Sequence, residues 1–209
     1  MAKVLYIEAS PRKERSASIE VAQNFLNAYR AANPQDTVET LDLWATELPR
    51  FDQSTIDAKY AIMHGQPHTA EQKAAWEAVE RIAAQFKSAD KYVISLPMWN
   101  FGVPYILKHY IDVLLQPGLT FSFTPSEGYK GLVTGKPALV IYAQGGQYPK
   151  GTPWENYDLQ SKYLELVLGF IGFTDVKSVY VNGTLNGADG KEKAVTAGTT
   201  EAVALAHQF

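Results

Sequence analysis

Pro97-Met98-Trp99-Asn100-Phe101-Gly102-Val103-Pro104 is the stretch that decides the fold, because of what stands on either side of it. Before it, Lys91-Tyr92-Val93-Ile94-Ser95-Leu96 has the length and the β-branched and aromatic content of a buried strand. After it, Leu107, Tyr110, Ile111, Leu114 and Leu115 recur at helical spacing over 105–115, and Pro104 suits the first turn of that helix. The prolines at 97 and 104 are expected to end sheet pairing and to hold the backbone extended or turned. Between them Met, Trp and Phe crowd around a single Asn, an unusual content for a surface loop. A strand, a stiff aromatic loop and a helix are the parts that hold a flat ligand at the carboxyl edge of a parallel sheet. The same aromatics are also consistent with a loop that only caps the core.

Working outward, the same alternation repeats. Val4-Leu5-Tyr6-Ile7 is a continuous apolar run, as a central parallel strand should be. It empties into the hydroxyl-rich and basic segment 9–18, and Ile19, Ala22, Phe25, Leu26 and Tyr29 then mark a helix that starts near Ser16 or Ser18 and stops at Asn33-Pro34. A helix N-terminus preceded by Ser10, Ser16 and Ser18 is a plausible phosphate cradle, since free amides and the helix dipole favour an anion there. An ordinary N-cap reads the same way. Neither the dinucleotide glycine fingerprint nor the P-loop pattern is present.

Val38–Leu43 alternates and reads as a strand nearer an edge, followed by an irregular excursion over 44–67 with a short helix around Ser54–Met63. Thr69 and Gln72 have capping-box spacing ahead of a helix carrying Trp76, Val79, Ile82, Ala83 and Phe86 on one face. Leu119–Phe123 reads as a small extra strand, with a hairpin completed near Leu132-Val133. Ala138–Tyr142 is a further buried strand ending in Ala143-Gln144-Gly145-Gly146-Gln147-Tyr148, where two glycines let the backbone approach a ligand or make a plain turn. A helix through Tyr163–Ile171 ends at Gly172, Val176–Val181 is the last strand, and a helix over 191–209 closes the chain.

Strands alternating with helices five times imply an α/β fold: a flavodoxin-like doubly wound five-stranded parallel sheet, order 2-1-3-4-5, with helices on both faces. In that order the loops after strands 1, 3 and 4 meet at the switch point, which brings segments 9–18, 97–104 and 143–148 to one crevice. One offers anion-binding character, one a flat apolar surface with an amide, and one bare backbone. Together they suit a ligand with a phosphate at one end and a planar heteroaromatic ring at the other.

Composition narrows the chemistry. The 209 residues suit one domain, 1–209, and 46% hydrophobic with 20% charged residues describes an ordinary globular protein. A net charge of −3 is too mild to imply nucleic acid. Cysteine is absent, which removes disulfides, thiolate catalysis and cysteine metal sites. No run approaches the ~20 apolar residues of a membrane span, and Met1-Ala2-Lys3 leads directly into a strand without a signal-peptide pattern. A cytoplasmic protein without membrane or nucleic-acid partners is expected. His64 and His68 have i, i+4 spacing but no carboxylate-rich company, so no metal is expected.

The chain resembles the FMN-dependent NADH azoreductases, also called NADH:quinone oxidoreductases, of the flavodoxin-like superfamily. The residues that carry the resemblance are Ser10-Pro11-Arg12, Ser16-Ala17-Ser18, Glu47-Leu48-Pro49, Pro97-Met98-Trp99-Asn100-Phe101, Gly118–Phe121, Gly131–Lys136 and Gly145-Gly146. The resemblance implies FMN bound by Ser10, Ser16, Ala17 and Ser18, by Pro97, Met98, Trp99, Asn100 and Phe101, and by Ala143, Gln144, Gly145 and Gly146. It also implies a homodimer with FMN at the interface, and ping-pong transfer of two electrons from NADH or NADPH to quinones or aromatic azo compounds. No side chain is expected to be catalytic in its own right, since the flavin carries the chemistry. Tyr148 and Phe123 are candidates for the substrate pocket. Many members carry Ser-Arg-Gly-Gly with a following His at the glycine loop; Ala143-Gln144 and Tyr148 stand there in this chain, which removes a cation. The acceptor and the choice between NADH and NADPH stay open, as does the alternative of a flavodoxin-like electron carrier that turns over no small substrate.

Overall fold

The computed structural model describes residues 1–209. Five parallel strands form its central sheet: β1 (Lys3–Glu8), β2 (Thr37–Asp42), β3 (Lys91–Pro97), β6 (Pro137–Gln144) and β7 (Asp175–Asn182), in the order β2-β1-β3-β6-β7. Numbered without the intervening hairpin this is the expected 2-1-3-4-5. The hairpin itself is β4 (Phe121–Thr124) and β5 (Gly128–Gly131). Register is set by the apolar centres of the strands, which pair Tyr6 with Val93, Ile94 with Val140 and Ile141 with Val179.

Alternate residues of each strand feed two cores. Val4, Tyr6, Val93, Leu139, Ile141, Val179 and Val181 pack beneath α1 (Ala17–Ala32) and α6 (Gly187–Ala206). Leu5, Ile7, Tyr92, Ile94, Leu96, Val140 and Tyr142 pack against α3 (Ala70–Lys87), α4 (Tyr105–Leu114) and α5 (Leu159–Ile171). Phe25, Phe86 and Tyr110 are among the side chains driven almost wholly out of water, each contributing about 2–3 kcal/mol of burial. The excursion after β2 holds α2 (Gln53–Met63), N-capped by Asp52 and packed on Trp76 and Val79 of α3. The capping box of Thr69 and Gln72 forms at the start of α3.

The structure corrects the sequence reading at several boundaries. Pairing does not stop before Pro97: that residue lies opposite Ala143, and Met98 N donates to Ala143 O at 2.8 Å. With Met98 bonded to β6, the missing N–H of Pro97 faces the β1 side, where β1 has already ended at Glu8, so no ladder bond is lost. The hairpin closes at 124–128 rather than near Leu132-Val133, because Gly128 takes φ +71° at the end of a short turn. Leu119 therefore precedes the strand. Val133 instead ties the hairpin's exit to the end of α5, donating to Ile171 O at 2.8 Å. The closing helix starts four residues early, at Gly187, and ends at Ala206. Phe209 beyond it packs edge-on against Phe25 at 5.3 Å.

Candidate functional site

Loop 9–16 runs from the end of β1 to the N-terminus of α1. Ser10 is fully buried and its Oγ accepts from Arg12 N at 3.4 Å. A single 3₁₀ turn over Lys13–Arg15 follows, and Ser16 N donates to Lys13 O at 2.8 Å. Ser16 caps α1 by accepting from Ile19 N at 3.4 Å, and its Oγ lies 3.2 Å from Ser18 Oγ. Ser16 and Ser18 are both buried, so hydroxyls and first-turn amides converge on one small volume. Amides that find no carbonyl within the helix, plus the positive end of the dipole, favour an anion here. Arg12, Arg15 and Lys191 line it and add positive charge.

Loop 98–104 is pinned as a tight turn. Trp99 N donates to Gly102 O at 3.0 Å and Gly102 N returns a bond to Trp99 O at 2.9 Å. The two residues between them have positive φ, +47° at Asn100 and +70° at Phe101. This is the geometry of a type I′ turn, in which Asn is favoured at the first place and Gly at the second. Phe at the second place costs about 1–2 kcal/mol of backbone strain. Such strain persists where the surroundings over-determine it, and it marks functional loops. Phe101 is 47% exposed and leans on Tyr157, its ring 5.4 Å away.

The third loop leaves β6. Ala143 is nearly buried, while the Gln144 side chain turns to the opposite face of the sheet, where Nε2 donates to Gln160 Oε1 at 3.2 Å. The Gln144 carbonyl accepts from Thr184 N and Thr184 Oγ1 at 3.1 and 3.0 Å, and Gly146 O accepts from Gly183 N at 3.0 Å. Gly145 lies under the exposed Leu185 side chain, whose Cδ1 a Cβ there would meet at 2.6 Å and push aside. Segment 183–186 after β7 thus becomes a fourth wall.

These pieces enclose a crevice of about 240 Å³ in which Ser10, Ser16 and Ala17 face Pro97, Met98, Trp99, Ala143 and Gly145. The expected convergence of three loops is what the structure contains. Ser18 sits behind Ser16 rather than on the crevice wall. Asn100 borders a neighbouring and more open cavity of about 800 Å³, shared with Trp99, Arg50, Phe51 and Tyr105. Tyr148 faces a separate polar pocket beside Asp158 and Lys150, and Phe123 leans on Tyr129 at 4.8 Å on the hairpin, the two rings tilted by 49°. Neither lines the crevice within one chain.

Sequence reasoning passed over Trp44. Its indole Nε1 donates to Ala9 O at 3.0 Å, and its ring packs on Trp99 at 5.8 Å and Tyr105 at 5.3 Å. It therefore couples the first loop to the aromatic one. Its only signal was a Trp standing next to the end of a predicted strand. Thr184, Leu185 and Lys191 were missed as well, because nothing in their spacing points to a ligand. Below the crevice, Tyr6 Oη lies 2.8 Å from Ser95 Oγ; burial pushes its hydroxyl far above the usual range, so it stays neutral.

A doubly wound sheet whose switch point carries an anion-binding helix start, an aromatic turn and a bare-backbone loop defines a flavodoxin-like binding protein. Residues 2–205 match the family described as having a flavodoxin-like fold. The FMN-dependent NADH:quinone oxidoreductase of Desulfotalea psychrophila is 50% identical over 209 residues, covering 100% of this chain and 98% of the relative. The protein of the same name from Nitratidesulfovibrio vulgaris is 53% identical over 201 residues, 96% of each chain. Among solved structures, an azoreductase from Bacillus anthracis superposes with a TM-score of 0.91 at 35% identity over 100% of both chains. An FMN-dependent NADH-azoreductase of the same species, solved in complex with FMN, gives 0.87 at 32% identity over 99% of this chain and 100% of the other. The chain belongs to the family of FMN-dependent NADH:quinone oxidoreductases and azoreductases. No helix is long and apolar enough to cross a membrane.

Proposed function

We propose that this chain is an FMN-dependent oxidoreductase that passes two electrons from NADH or NADPH to quinones and aromatic azo compounds in a ping-pong cycle. It acts as a cytoplasmic homodimer of one domain, 1–209, with FMN at the interface. The observation that carries the reading is the crevice itself, where a hydroxyl-lined helix start faces a strained aromatic turn across bare backbone. Its chemistry fits the two ends of FMN: donors and positive charge for a phosphate, and flat apolar surface with main-chain amides for a heteroaromatic ring. The Gly145 backbone, which carries no side chain on the crevice wall, suits close approach of a ring edge.

Bound FMN supplies the two-electron redox chemistry. The protein's share is to hold the phosphate with Ser10, Ser16, Ala17 and Ser18, and to orient the ring with Pro97–Phe101 and Ala143–Gly146. The open cavity beside Trp99 and Asn100 gives a flat acceptor a place to lie. Phe101, Tyr105, Trp154 and Tyr157 are 47–64% exposed, an aromatic surface that supports a partner copy closing over this region.

The experiment is direct. The purified protein is expected to be yellow and to oxidise NADH only when a soluble quinone or azo dye is supplied. A flavin-loaded protein that turns over neither acceptor would leave an electron carrier. A colourless protein that takes up no FMN would remove the reading. Light scattering on the eluting active peak is expected to give twice the chain mass, and a monomeric active peak would sink the dimer.

A further inference from the structure

Lys13 is the third non-glycine residue with positive φ, at +48°, and it sits in the loop that shapes the anion site. Its side chain does not face the crevice. It turns to the outer side of the loop, where Nζ lies 2.5 Å from Glu8 Oε1 and 2.6 Å from Asp42 Oδ2. Glu8 is the last residue of β1 and only 8% exposed, and Asp42 is the last residue of β2, paired beside it in the sheet. Two carboxylates at adjacent strand ends thus stand directly behind the loop that carries Ser10 and Ser16. Burial alone would lower the ammonium's pKa, but the hydrogen bonds it donates to Asp42 and Glu8 outweigh it, and the net shift is upward.

The main chain of Lys13 works with its side chain. Its carbonyl accepts from Ser16 N at 2.8 Å, so the position of the helix cap follows from where Lys13 is held. A lysine in the left-handed region carries strain that the surroundings must repay, and the two ion pairs do so. Released from them, the loop would relax to another turn and the two carboxylates would be left uncompensated beside a bound dianion.

We propose that Lys13 is a positioning residue for the phosphate end of the site: it tethers loop 10–16 to Glu8 and Asp42 and shields those carboxylates from the bound phosphate. The inference rests on the FMN reading above.

The test is calorimetric titration of the flavin-stripped full chain with FMN and with riboflavin, which lacks the phosphate. Lys13→Met is expected to weaken FMN about tenfold or more and riboflavin less than about threefold. Lys13→Arg, which keeps both ion pairs, is expected to restore FMN binding to within about threefold of the unaltered chain. The triple change Lys13→Met/Glu8→Gln/Asp42→Asn removes the exposed charges and also serves if the single variant does not fold; its loss for FMN should be smaller than that of Lys13→Met. Equal losses for FMN and riboflavin, no loss for either, or a Lys13→Arg variant as weak as Lys13→Met would overturn the proposal. A triple variant as weak as the single one would overturn shielding. An unaltered chain that binds riboflavin as tightly as FMN would overturn the phosphate reading itself, and this inference with it.

Discussion

The two ends of the crevice are built on opposite plans. At the helix-start end, Ser10, Ser16 and Ser18 are buried, α1 is capped, and Ser10 and Ser16 line the crevice with Ser18 held behind them. At the ring end, Phe101, Tyr105 and Leu185 are 47%, 64% and 80% exposed, and the backbone at Asn100 and Phe101 is strained. One end is finished by a single chain; the other is left unfinished. A helix start supplies its own anion site from local sequence. The ring end instead leaves its aromatic side chains open to water.

The double change Ser16→Ala/Ser18→Ala tests the finished end and carries the largest expected effect. Loss of two hydroxyls serving a charged group is expected to weaken FMN about 100-fold while leaving riboflavin within about threefold. A calorimetric titration that found equal losses would mean that the two ends do not divide the ligand in this way.

Asn100→Ala acts at the other end and should lack that discrimination. It removes an amide and places Ala in a left-handed position that Asn tolerates better. FMN and riboflavin are expected to weaken alike, by about tenfold. A loss confined to FMN would put Asn100 on the phosphate.

Phe101→Gly separates strain from contact. Glycine at φ +70° relieves the turn, and thermal unfolding should show the apoprotein more stable by about 1 kcal/mol. Flavin affinity is expected to fall a few-fold, with FMN and riboflavin affected equally. A drop in the unfolding midpoint would mean that contact with Tyr157 outweighs the relief.

The smallest effect is expected far from either end. Lys3 Nζ and Gln85 Nε2, both 2.7 Å from Glu39, hold its carboxyl below the usual 4.5. The folded-state value being the lower one, this stabilisation is present above pH 4.5 and fades as pH falls through the folded value. The side chain is 36% exposed, so Glu39→Gln is expected to cost under about 0.5 kcal/mol at neutral pH, with flavin affinity unchanged. A larger loss in denaturant unfolding would count against this pair being solvent-screened.

The same division governs what the sequence discloses. The apolar runs 4–7, 91–96 and 138–142 announce buried parallel strands because neither of their faces meets water, and strand order follows from the crossover rule. The capped helix start is equally legible, since caps and free amides are local features within a few residues of Ser16. Trp44 and Leu185 are a different case: each reaches the site through a contact made by folding, across 35 residues to Ala9 and 40 to Gly145, and no spacing encodes it. Asn100-Phe101 lies between the two. Its unusual content is visible in the chain, but its left-handed backbone is not, because Phe has no preference for that conformation. The exits of the hairpin and of the closing helix were blurred for a related reason: Val133 and Phe209 are apolar continuations of their segments but are held by tertiary partners.

The packing of Trp44 on Trp99 has a spectroscopic consequence. The chain has four tryptophans: Trp76 is buried among α2 and α3, Trp154 is 62% exposed, and the other two meet at the crevice. Indole emission overlaps the absorption of an oxidised isoalloxazine, so the Trp44–Trp99 pair would lose most of its light to a ring lying beside Trp99. Trp154, one ring removed from Phe101 through Tyr157, would share in that loss. The protein therefore carries an internal optical gauge of occupancy, readable in a dilute sample, and Trp44→Phe should blunt that gauge without removing it.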